Sequence, residues 1–166
     1  MTTTPPATLQ ISDDLTGFIQ CGVSISLATA DAAHNTSATK VQACRVADDR
    51  RRITVFASRN ASADVIRDIE SHGIVTTVYC LPGTEETYQI KGHRARLEAL
   101  QPGDRNLLIA YRRAFAQQVE PFGFPPDLTV SLFEFPDDDL VAISFEPFAI
   151  FDQTPGPKAG AAVGAA

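Results

Sequence analysis

Residues 53–80 read ITVFASRNASADVIRDIESHGIVTTVYC. The β-branched run Ile53–Ser58 is a strand, and it stops at Ser58-Arg59-Asn60. A helical pattern follows Ser62. Val65, Ile66 and Ile69 share one side and Arg67, Asp68 and Glu70 the other, so this helix lays an apolar face on the body of the protein. Gly73 is placed to end it, and the β-branched run after Ile74 is another strand. A helix start that needs only a cap uses one Ser or Asn. This one offers Ser58, Asn60 and Ser62 together with Arg59. A helix N-terminus has free N–H groups and about half a positive charge, and a guanidinium fork fits phosphate. The segment therefore predicts an anion at the helix mouth.

Upstream, GVSISLATAD alternates, with Val23, Ile25 and Leu27 on one face and Ser24, Ser26 and Ala28 on the other. Residues 38–47, ATKVQACRVA, form a second strand that carries Val41, Ala43 and Arg45 on one side. A charge there needs a partner, either a carboxylate or a ligand phosphate. DDRRR closes a hairpin, and Ser12 caps a short helix expected over Asp13–Cys21.

Downstream of Pro82-Gly83, residues 86–100 are a long strand. Pro102-Gly103-Asp104 opens a helix whose Leu107, Leu108, Tyr111 and Phe115 recur at core spacing. DLTVSLFEF (127–135) and LVAISFEPFAIF (140–151) are expected as two further strands, split by the turn PDDD. The turns between early strands are too short for parallel crossovers. The expected class is therefore mainly β: an antiparallel, closed or split β-barrel with flanking helices. Residues 12–151 form its single domain. Residues 1–11 are expected to be flexible, and 152–166, rich in Pro, Gly and Ala, an extended or disordered tail.

A chain of 166 residues with 44% hydrophobic side chains can bury one real core. A net charge of −6 argues against nucleic acid or an acidic membrane as the main partner. No apolar run reaches the ~20 residues of a membrane span. The first ten residues lack a basic and an apolar signal region, so a cytoplasmic location is expected. Cys21, Cys44 and Cys80 include no CxxC pair, and His34, His72 and His93 are not at ligand spacing, so no metal is expected. Gly-Lys phosphate loops, GxGxxG and GxSxG are absent. His34 reads as a surface residue. His72 reads as a protonated imidazole at a helix C-terminus. Lys91, Arg94 and Arg96 read as a solvated face or a dimer contact. Phe122, Phe124, Phe133, Phe135, Phe145, Phe148 and Phe151 read mostly as core.

Three stretches together carry a resemblance: ISLATAD, then VQACRVADDRRRITVFASRNASADVIRDIESHGIVTTVYC, then YQIKGHRARLEAL. In pattern and element order they resemble the FMN-binding split-barrel superfamily of pyridoxamine 5'-phosphate oxidase-like proteins. The resemblance implies a homodimer with FMN held between two barrels and a flavin-dependent oxidoreductase acting on a small organic substrate. By position, Arg45 and Val46 match the family's arginine-bearing second strand. Phe56, Ala57 and Ser58 match the strand beside the isoalloxazine ring, and Ser62 the serine at the helix mouth. Thr87 falls where the family has a polar residue reaching the flavin. The family often has Lys or Arg just after the helix-mouth serine; here Ala63 and Asp64 stand there, and Arg59 is the cation at hand. The departure supports an alternative: a non-enzymatic split barrel that binds haem, another flavin-like ligand or nothing, as carrier, sensor or scaffold.

Overall fold

The strands are β1 (Ser24–Ala30), β2 (Thr36–Val46), β3 (Ile53–Ser58), β4 (Val75–Cys80), β5 (Thr87–Glu98) and β6 (Leu140–Asp152), and the helices α1 (Asp13–Ile19), α2 (Ala63–His72), α3 (Asp104–Val119) and α4 (Pro126–Leu132). In a computed structural model of the protein, which describes residues 6–164, the strands close into one barrel in the order β1-β2-β3-β6-β5-β4. Every pairing is antiparallel. The expected class is what is found.

Strand alternation decides what lies inside. Ile25, Leu27, Cys44, Val55, Tyr79, Ile90 and Ile143 point inward and are essentially inaccessible. α1 closes one end of the barrel with Leu15 and Ile19, and the Cys44 thiol donates to the Ile19 carbonyl there. α2 closes the other end. Its buried Asp68 accepts from the Thr29 hydroxyl at 2.7 Å. α3 lies outside, along β2, and the Tyr111 hydroxyl reaches the Ile19 carbonyl at 2.8 Å.

Four expectations change. Of the phenylalanines expected mostly as core, only Phe145 is fully buried, and Phe122 and Phe124 are more than half exposed. Residues 127–135 are not a strand. Pro126 starts α4, where its fixed φ suits a first helical turn, and the Thr129 and Ser131 hydroxyls bond back to Pro125 O and Asp127 O. β6 alone fills the slot between β3 and β5, so the sheet has no place for a seventh strand. α1 ends at Ile19, before Cys21. His72 is bonded as a neutral imidazole: Nε2–H donates to Ala30 O, while Nδ1 accepts the Ile74 N–H.

At the chain ends, positions 1–5 lie outside the described residues. Leu9 N–H bonds Pro147 O and Ile11 is fully buried. The tail folds back, with Gln153 N–H on Thr87 O and Val163 N–H on Ile150 O. Among the described residues no helix is long and apolar enough to cross a membrane.

Candidate functional site

β2 and β3 bring Arg45 and Phe56 to one outer face, the guanidinium carbon 6.0 Å from the ring centre. Arg45 Nε donates to Asp104 Oδ1 at 3.1 Å, and Asp104 is almost fully buried in the first turn of α3. The partner of Arg45 is thus a carboxylate of the chain, and its Nη2 is left buried without an acceptor. Val46 N–H donates to Gln20 Oε1 at 3.0 Å. Phe56 and Ala57 are fully buried, so β3 offers no open face to a flat ring.

The loop after β3 does hold an anion, but an internal one. The Ser58 hydroxyl and the Asn60 N–H both donate to the Asp139 carboxylate, and the Arg59 N–H donates to its backbone oxygen. The Ser58 hydroxyl, and then the Asn60 amide, hold the Asp139 carboxyl below its ordinary pKa. Ser62 turns away from the loop: its hydroxyl bonds Thr39 Oγ1 at 2.8 Å in the buried barrel end and makes no cap bond to α2. Asp64 pairs with Arg67 at 2.8 Å. Thr87 lies at the start of β5, whose neighbours are β4 and β6. Its N–H donates to Thr154 Oγ1 and its hydroxyl to Glu85 O. Arg45, Val46, Phe56, Ala57, Ser58, Arg59, Ser62 and Thr87 therefore do not converge on one open seat. A phosphate dianion needs several donors aimed at one point, and most of these already serve the chain.

Other groups do converge. A bulge between Val41 and Ala43 pushes Gln42 under α3. Gln42 is 5% exposed, and its Oε1 has no donor. Arg112 faces the same recess with Nε buried and without an acceptor. Lys40 lines the recess as well and bonds the Ser24 hydroxyl. Desolvation lowers the pKa of the Lys40 ammonium and of the Arg112 guanidinium. Phe115 and Phe133 form one wall, edge to face at 5.3 Å. As it stands the recess has a volume of about 10 Å³, room for a single water. Lys40, Gln42 and Arg112 carry no motif that marks them in the sequence. The available signal was the polar i, i+2 pair Lys40 and Gln42, which simple alternation puts on the face opposite Arg45; the bulge after Val41 resets that alternation.

No protein-family profile and no curated protein matches the sequence. Solved structures do match in shape. HupZ of Group A Streptococcus superposes with a TM-score of 0.52 at 18% identity, over 90% of this chain and 99% of that one. A putative pyridoxamine 5'-phosphate oxidase from Lactobacillus delbrueckii gives 0.52 at 11%, over 86% and 93%. A Clostridium acetobutylicum protein related to general stress protein 26, of the pyridoxinephosphate oxidase family, gives 0.53 at 8%, over 86% and 87%. The chain has the split-barrel fold of the pyridoxamine 5'-phosphate oxidase-like proteins. At these identities the likeness is one of fold, and the split barrel's chemistry has to be argued from its own side chains.

Proposed function

We propose that this split barrel is a homodimeric, FMN-dependent oxidoreductase acting on a small organic substrate, and that the cofactor docks at the Lys40–Gln42–Arg112 recess and not at the rim loop. The observation that carries this is the pair of buried, unpartnered atoms, Gln42 Oε1 and Arg112 Nε, in one recess with Lys40. Buried polar groups without a protein partner are satisfied by an ordered water or by a ligand, and a ligand that reaches both atoms replaces that water. Gln42 would accept from a ring imide N–H. Lys40 and Arg112 would face anionic oxygens, and the Phe115–Phe133 wall would flank a flat ring. Bound FMN supplies the hydride chemistry; the chain binds, orients and excludes water. The recess admits one water and α3 is anchored by buried Leu108 and Tyr111, so Lys40, Gln42 and Arg112 would meet FMN at the mouth of the recess.

Titration with FMN, followed by flavin absorbance and melting temperature, tests the reading. Uptake should colour the protein yellow and raise the melting temperature. Lys40→Ala and Gln42→Leu should each weaken FMN by about tenfold, the size of one lost hydrogen bond to a charged or buried group. A protein that stays colourless, or variants that bind FMN like the parent, would remove it.

The second reading is a carrier, sensor or scaffold without catalysis. The Asp139 and Asp104 carboxylates favour it, because they occupy the Ser58 hydroxyl and the Arg45 guanidinium. Haem is the less suited ligand. No histidine lines the recess: His34 is exposed, His72 is bonded to Ala30 and Ile74, and His93 is buried against Thr8 and Glu146. A Soret band on haem addition, with no response to FMN, would select it.

A further inference from the structure

Beside the recess, on the other side of Arg112, an open groove of about 590 Å³ runs between α3 and residues 134–140. Its volume falls within the range of small-molecule sites. Apolar and charged side chains share its lining. Leu108 is buried and Ile109 remains 45% exposed, one of the few large apolar side chains left in water, with Phe135 and Leu140 alongside. Two charge pairs face the groove, and they differ. Arg105 is bonded to Asp137. Arg112 and Glu134 both line the groove, yet neither has an ion-pair partner within 4 Å among the described residues. They are close enough to feel each other, since Glu134 partly offsets the desolvation that lowers the Arg112 guanidinium.

We propose that the groove binds a small zwitterion with an apolar body, an apolar α-amino acid or a close analogue, its carboxylate on Arg112, its ammonium toward Glu134 and its side chain on Leu108 and Ile109. Glu134 is near enough to Arg112 to repel a lone anion bound there, and a lone amine would leave Arg112 unsatisfied. A molecule with both charges answers both groups, and its apolar body gains by covering Ile109. The groove and the recess share Arg112, so a flavin would compete for its guanidinium, and the probes below are titrated against flavin-free protein.

Three probes of one shape separate the possibilities: L-phenylalanine, 3-phenylpropionate and 2-phenylethylamine, titrated against the full chain by ligand-observed NMR. Phenylalanine should bind tightest. Arg112→Ala should weaken phenylalanine and phenylpropionate by about tenfold and leave phenylethylamine unchanged, as expected for one charge-assisted bond. Glu134→Gln, at an exposed position outside the recess, should weaken phenylalanine and phenylethylamine, spare phenylpropionate, and leave FMN affinity unaltered. If no probe binds, if phenylpropionate equals or beats phenylalanine, or if Glu134→Gln binds all three like the parent, the assignment is wrong. FMN uptake in that variant reports on the cofactor reading separately.

Discussion

Asp139 and Glu146 carry carboxyls held below their ordinary pKa, Asp139 first by the Ser58 hydroxyl and Glu146 first by the Thr8 hydroxyl, then by Arg94. A carboxyl depressed in the folded state adds stability above its unfolded pKa, near 4, and loses it as pH falls through the folded value. The melting temperature should therefore be flat near neutrality and fall below about pH 4. Ser58→Ala removes the leading donor to Asp139 and should shallow that acid limb in melting curves from pH 6 to 2; an unchanged slope would unseat Ser58 as the cause. The second test at this scale is Arg45–Asp104. Asp104→Ala strips a partly buried guanidinium of its counter-ion and should cost about 2 kcal/mol in urea unfolding. The Arg45→Ala/Asp104→Ala double variant should cost less than the sum of the singles, because the uncompensated charge is gone.

At the scale of elements, two glycines fix how pieces meet. Gly22 links α1 to β1 with φ of +87°, and a Cβ there would lie 2.6 Å from the Ala114 Cβ and 2.7 Å from the Phe115 amide nitrogen. α3 can approach this turn only because the side chain is missing. In β5, a Cβ on Gly92 would stand 2.2 Å from Cδ2 of Phe145, a fully buried ring. Gly92→Ala forces β5 from β6 or the ring from its rotamer and should lower unfolding free energy by about 3 kcal/mol, the upper range for overpacking. A urea midpoint within error of the parent would show that Phe145 moves freely. α4 is packed on one side only: it lies against α3 with Thr129 buried, while Leu128 and Leu132 stay more than half exposed.

Across the whole molecule, closure leaves no free sheet edge, and the tail adds a strap over β5 and β6. Deleting residues 153–166 removes the Gln153–Thr87 and Val163–Ile150 bonds and should lower the melting temperature by about 5 °C, the shift that one to two kcal/mol gives a chain of this size. The far-ultraviolet circular dichroism of the barrel should survive; if it is lost, the tail is part of the core. Six of the seven expected strands, their succession along the chain and their antiparallel pairing were legible in the sequence, because alternation and short turns are local and act over a few residues; which strands lie side by side past β3 was not. The α4 segment misled the same logic: Leu128 and Val130 alternate like a strand, and only closure of the six-strand sheet and Pro126 decide against it. The site was the least legible part. Ser58 meets Asp139 across 81 residues and Arg45 meets Asp104 across 59, and no local pattern states which carboxylate arrives at which cation. The sequence by itself determined the barrel and the charges at its rim. Only the tertiary structure decided that Arg45 and Ser58 serve the chain's own carboxylates and that Gln42 Oε1 and Arg112 Nε have no protein partner, because partners of buried polar groups are chosen by chain closure over long separations.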